Sequence, residues 1–169
     1  LYSNHNYNEA VEDSLTSFGA DGFGLGAAAG TNANNDKFVS WNWKAGGAPT
    51  ATNVAAAGAA PTSGSVMMNG VASSSALAGG NPAKKISANT KSGFSIVQYT
   101  GTGNGVQTIA HGLSKAPEMM IVKNMDDDEN WAMYHHAAGN SSVNSAANVI
   151  SFRINTNNIA SATTNGRWG

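Results

Sequence analysis

Few residues in this chain have types and spacing that could do chemistry. Asp126, Asp128 and Asn130 stand at alternate positions, the odd spacing at which a calcium loop presents oxygen ligands. Counting from Asp126, the sixth position is Trp131 where a glycine is needed, and the twelfth is Ala137 where a bidentate glutamate is needed. No EF-hand is expected, which leaves an acidic turn between strands or an irregular Ca²⁺ site. His135 and His136 are adjacent, so in an extended strand they would point to opposite faces and could not share one metal. His111 could add a ligand, yet no His-x-His or His-Glu pair exists, and a structural or surface role is expected for all three. Serine and threonine abound without a GxSxG elbow, and no carboxylate pair suits glycoside cleavage. Cys 0 removes disulfides and thiolate metal sites. No catalytic residue, metal or cofactor is expected, and the protein is not read as an enzyme.

The elements that would position such groups are strands. In Phe94–Tyr99, Phe94, Ile96 and Gln98 alternate with Ser95, Val97 and Tyr99, which suits a core strand covered on both sides. TGTGNG then supplies a turn. Val106 to His111 alternates again, and Pro117 leads into the apolar run Met119–Val122. After the acidic turn, Trp131, Met133 and His135 form a further alternating face, so residues 92–134 read as a strand meander. Phe23 and Leu25 lie among glycines, as in a strand that bends or packs on another backbone. Leu1–Ala10 reads as a short strand or irregular segment. Glu9–Phe18 could form one helical turn, and no helix is assigned.

Phe38–Lys44 alternates strictly, with Phe38, Ser40 and Asn42 on one side and Val39, Trp41 and Trp43 on the other. The face holding Trp41 and Trp43 suits inter-sheet packing, with a sugar-stacking platform as the alternative. From Ala45 to Ser92 the composition turns to Ala, Gly, Ser and Pro without a sustained period, as in a linker or arm. Within it, SVMMNGV (residues 65–71) places Asn-Gly between apolar residues, a hairpin signal. If that hairpin projects, Val66, Met67, Met68 and Val71 need a partner surface, and a neighbouring subunit is the candidate. A solvent-swept linker is the other reading.

Three strings, GFSIVQYTGTG (93–103), HGLSKAPEMMIVKN (111–124) and NWAMYH (130–135), resemble a repeat module of tail-fibre and other virion structural proteins of tailed bacteriophages, many from marine hosts. SLTSFGADGFGLG (14–26) and FVSWNWKAGG (38–47) resemble the closing part of the same module, so the likeness touches most of the chain outside 48–88. The chain departs from that pattern where a long Ala, Gly and Ser stretch replaces a short connection. The resemblance implies a structural module of a virion, an extracellular particle, without catalytic residues.

Length and composition agree with a single β domain. At 169 residues there is enough chain for one core and hardly for two. Charged residues make up 11%, well below the usual quarter, and Gly 20 points to a turn-rich protein. A net charge of -1 gives no basic footprint for nucleic acid. No apolar run approaches the roughly 20 residues of a membrane-spanning helix, so no membrane insertion is expected. The chain starts at Leu1 in what looks like a module interior, as if a precursor is cut or a longer chain continues beyond it. LYSNHNYNEA resembles FRINTNNIAS with Asn4 matching Asn155 and Asn6 matching Asn157, both at an offset of 151 (155 − 4 and 157 − 6). One repeat unit cut out of register would look like this.

The expected fold is an antiparallel β-sandwich, jelly-roll-like and all-β, with a long Ala/Gly/Ser-rich arm or hairpin insertion. Residues 1–47 would be closing strands, 48–91 the arm, and 92–169 the main meander. Phe38, Trp41, Phe94, Ile96, Ile121, Trp131 and Phe152 would supply the core. The expected function is assembly, as a homo-oligomer and with other virion proteins. A glycan-binding module engaging a host surface saccharide comes second, and a hydrolase of surface polysaccharide third.

Overall fold

The computed structural model describes residues 5–7, 13–103, 105–136, 149–156 and 161–163, with the side chains of 149–152 and 161–163 set aside. Those residues form ten short strands and one helical turn of four residues, Ala29–Asn32 (α1), so the chain is nearly all strand and loop, as an all-β fold requires. Two compact units are present. The first comprises Leu1–Asn42, Ile121–Met133 and Ser151–Ser161; the second comprises Trp43–Met120, Tyr134–Ile150 and Ala162–Gly169.

The second unit is built on a sheet of order β4-β3-β5-β6, from β3 (Val66–Met68), β4 (Val71–Ala72), β5 (Lys85–Asn89) and β6 (Phe94–Gln98). Asn69 and Gly70 close the β3–β4 hairpin at φ 54 and 92, the paired left-handed conformation that an Asn-Gly turn favours. The chain then crosses over through 73–84 and returns as β5, parallel to β3 with Val66 opposite Ile86 and Met68 opposite Ala88. A parallel pair cannot be joined by a tight turn, so this crossover is obligatory. β6 runs antiparallel to β5 with Ile86 opposite Val97.

Alternation sorts the side chains of this sheet. Val66, Met68, Ile86, Ala88 and Val97 share one face, over which Leu77 from the crossover and Ile109, Ala110 and Leu113 from a loop are packed. Ile86 is 0% exposed and Val66 2%; burying a side chain of this size contributes roughly 2 kcal/mol. Gly112, at φ +74, is the point of closest approach: a Cβ there would lie 2.8 Å from the Ala88 Cβ and 3.0 Å from the Ile86 Cγ2. The opposite face carries Ser87 and Asn89, both buried. There Gly46 lies directly against the backbone of Met67 and Ala88, and a Cβ on Gly46 would collide with both. Ser87 Oγ accepts from the Gly46 N–H at 3.0 Å and donates to the Gly47 carbonyl at 2.6 Å.

Several expectations are corrected here. Residues 48–91 are no arm: they supply Val66, Ala83, Ile86 and Ala88, all the buried apolar residues among those described. Asn53, 2% exposed, ties this stretch down. Its side-chain oxygen accepts the N–H groups of Ala55 (3.0 Å) and Thr62 (3.1 Å), and its amide donates to the Ala83 carbonyl at 3.0 Å. Phe38–Lys44 forms no strand, and Phe38, Trp41, Ile96 and Ile121 are exposed instead of core. The core uses small side chains and glycines at close approach, which leaves no slot for large aromatics. Ile96 follows from topology: β6 is the edge of its sheet, on the face that the Gly46–Gly47 segment covers only in part. Phe94 and Trp131 are half-buried.

Strands also pair otherwise than a simple meander. Val106–His111 is a loop whose Thr108 is engaged by the crossover, its carbonyl accepting from the Asn81 N–H (3.1 Å) and its hydroxyl from the Gly80 N–H (2.9 Å). β7 (Met119–Val122) belongs to another four-stranded sheet, order β10-β9-β8-β7, with β8 (Ala132–His135), β9 (Val149–Arg153) and β10 (Ser161–Thr163). The antiparallel β8–β9 register sets Ala132 against Arg153 and Met133 against Phe152.

In the first unit β1 (Leu15–Phe18) and β2 (Phe23–Leu25) form a hairpin with an irregularity between Leu15 and Ser17. The strand at Leu15–Phe18 replaces the helical turn considered there. Asp13 secures the exit from β2 by accepting the Ala27 N–H on its carboxylate and the Ala28 N–H on its carbonyl. The expectations for Leu1–Ala10, for the 151-residue offset and for the side chain of Phe152 lie wholly or mainly outside the described residues.

Candidate functional site

The acidic loop after β7 is held from within. Lys123 Nζ donates to the carbonyls of Asn124 and Asp127, the latter at 2.9 Å, so the chain's own ammonium occupies the oxygen-lined turn. Asn130 is committed elsewhere: its side-chain oxygen accepts from the Asn155 amide at 2.9 Å, and the Asn155 oxygen accepts the Trp131 N–H at 3.1 Å. Asp126, Asp128 and Asn130 therefore do not converge as ligands. Among the described residues no group of three or more His, Cys, Asp or Glu is arranged to hold a metal ion.

His135 and His136 differ from expectation. Their rings stack, with centroids 5.1 Å apart and planes 18° apart. The strand ends at His135 and His136 is a turn residue, so the alternation that would have separated them stops between them. His136 N–H donates to the Glu118 carbonyl at 2.8 Å. His111 accepts the Leu113 N–H on Nδ1 at 3.0 Å, which fixes its proton on Nε2.

His111 lines a cleft of roughly 460 Å³ in the second unit. Its floor is Val66 and Met68; one wall is the crossover with Leu77, the other the loop with Ile109 and Leu113. An apolar group would fit this cleft, with the imidazole and the Thr108 and Ser73 hydroxyls at its margins. Sequence reading missed it because its walls come from two separate stretches, 73–79 and 108–113, that carry no shared motif.

The residues nominated for assembly divide sharply. Val66 is core, Met67 and Met68 are half-buried within the sheet, and Val71 alone is exposed. The hairpin is thus part of the sheet and not a projecting tip. Of the nominated aromatics, Trp41 is 72% exposed and lies in the first unit, whereas Trp43 is 64% exposed and lies in the second. Trp43 stacks on Phe94 with centroids 5.9 Å apart and planes 17° apart, so one indole face is held while the other meets solvent. The Ser92 hydroxyl donates to the Lys44 carbonyl at 2.9 Å and fixes the backbone beside this stack.

These features define a β-rich chain with exposed aromatics and an apolar cleft. The chain belongs to the DUF7483 family, described as a domain of unknown function, whose sequence model matches residues 1–74 and again 65–167. No curated protein and no solved structure matches it.

Proposed function

We propose that the chain is a non-enzymatic structural module of a virion, part of a tail fibre, tail or capsid surface, which acts through contacts with copies of itself and with other virion proteins. The observation that carries this reading is the imbalance between core and surface. Val66, Ala83, Ile86 and Ala88 are the buried apolar residues among those described, while Val39, Trp41, Trp43, Val54 and Val106 stand mostly in solvent. Phe38, Val39, Trp41 and Trp43 are all exposed within residues 38–43, and apolar exposure concentrated in one segment supports a surface that a partner covers. Support for the particle is the likeness of residues 93–103, 111–124 and 130–135 to phage fibre modules, together with an Asn-, Ser- and Gly-rich chain of few charges. The β-sandwich form belongs to the same proposal; its support is that the described strands include two four-stranded sheets, β4-β3-β5-β6 and β10-β9-β8-β7. The test is self-association of the chain and of the variant F38S/V39S/W41S, expected to associate at least about 10-fold more weakly. A strictly monomeric parent chain would sink the proposal.

The second reading, a glycan-binding module, is favoured by one feature: Trp43 is held in place on Phe94 with its outer face open, and a fixed exposed indole can stack on a sugar ring at low entropic cost. Saturable binding on a glycan array that disappears in Trp43→Ala would establish it over the assembly reading.

A further inference from the structure

The formal net charge of -1 conceals a separation of charge between the two units. By sequence, the first unit holds nine of the ten acidic residues and three of the nine basic ones, giving 3 − 9 = −6. The second holds Lys44, Lys84, Lys85, Lys91, Lys115 and Arg167 against Glu118 alone, giving 6 − 1 = +5. The two sum to −1, as they must. Among the described residues Lys44, Lys91 and Lys115 are exposed, as are Asp126, Asp127 and Glu129, and none of the six has an ion-pair partner there. Charges meant only for solubility are interspersed. Charges sorted by sign steer association and set its orientation.

Building on the assembly reading, we infer that copies of this chain associate through opposite charge, the acidic unit of one against the basic unit of another. Such an interface pairs unlike surfaces, so each chain carries a surface that a second copy can meet. The chain carries both halves of the complementarity, which is why a second copy is the natural occupant of either surface. The contribution is electrostatic and falls as salt shortens the screening length, from about 10 Å at 0.1 M to about 3 Å at 1 M.

Two variants test this by sedimentation velocity, with circular dichroism as the check on folding. K44E/K91E/K115E takes the second unit from +5 to −1 (5 − 6), and D126K/D127K/E129K takes the first from −6 to 0 (−6 + 6). Each alone should self-associate at least about 10-fold more weakly than the parent chain at roughly 50 mM salt. Mixed together they should regain association, since the intact acidic unit of one meets the intact basic unit of the other. Variants that associate like the parent, or a mixture that stays monomeric, overturn steering by opposite charge. Salt titration of the unmodified chain needs no variant: association unchanged or stronger at about 500 mM than at about 50 mM also overturns it. In that case assembly itself survives on apolar contacts, which separates failure of this inference from failure of the reading beneath it.

Discussion

Replacing Asn53 by alanine tests whether residues 48–91 are a folded part of the second unit. The side chain is almost fully buried and makes three hydrogen bonds, two accepted from backbone N–H groups and one donated to the Ala83 carbonyl. Alanine removes all three and leaves the Ala83 carbonyl in a site that is 1% exposed. A typical net loss is about 1 kcal/mol per bond, and a buried group left without a partner costs a further 1–3 kcal/mol. The N–H groups of Ala55 and Thr62 are only partly buried and regain water in part, so the total expected is about 3 kcal/mol. That is a large fraction of the 5–15 kcal/mol by which a domain is normally stable. Urea denaturation followed by tryptophan fluorescence reads the effect as a lower midpoint at unchanged slope. Asn53→Asp refines the argument: it keeps both acceptor bonds but sets a carboxylate oxygen against the Ala83 carbonyl, so it should be no less damaging than alanine. Were the stretch a linker, either substitution would fall within about 0.5 kcal/mol of the parent, and that result would refute the reasoning.

Further expectations follow from single contacts. Gly112→Ala combines a left-handed backbone with a Cβ 2.8 Å from Ala88, and should cost roughly 2–4 kcal/mol in the same denaturation assay. Ser87→Ala frees the Gly46 N–H and Gly47 carbonyl from their shared hydroxyl and should lower stability by about 1–3 kcal/mol, with faster amide exchange at Gly46 as the local signature. Lys123→Met removes the ammonium from the acidic turn; amide exchange at Asp126–Glu129 should rise while the denaturation midpoint moves little, because the turn is exposed. Deleting Ser65–Val71 should unfold the second unit and not merely remove a contact, since Val66 is core; circular dichroism of the deletion checks this.

What could be read from the chain was local. Alternation placed β6 and assigned Val97 and Ile96 to opposite faces, Asn-Gly marked the β3–β4 turn, and Met119–Val122 read as a strand because an apolar run bounded by turn residues admits little else. Residues 48–91 were illegible because their order rests on bonds between distant positions: Asn53 with Ala83, Ser87 with Gly46, Asn81 with Thr100. Asn, Ser and Gly look like linker composition until their partners are known. In Lys85–Asn89 both faces are buried, the apolar one holding only Ile86 and Ala88 and the other Ser87 and Asn89, so the strand carries little apolar signal. Phe38–Lys44 shows the converse error. Strict alternation describes a strand that some surface must cover, and within this chain Phe38, Trp41 and Trp43 remain mostly in solvent. The charge separation was hidden for a simpler reason: a net value of -1 sums over segments that the fold sorts into different units.

The central claim, that this chain completes itself through contacts with other copies, is most directly tested by sedimentation velocity of the unmodified chain over a range of concentration from about 5 to about 200 μM at roughly 50 mM salt. The account predicts a weight-average mass that rises steadily with concentration and falls back when salt is raised. A single species of monomer mass across the whole range would contradict it.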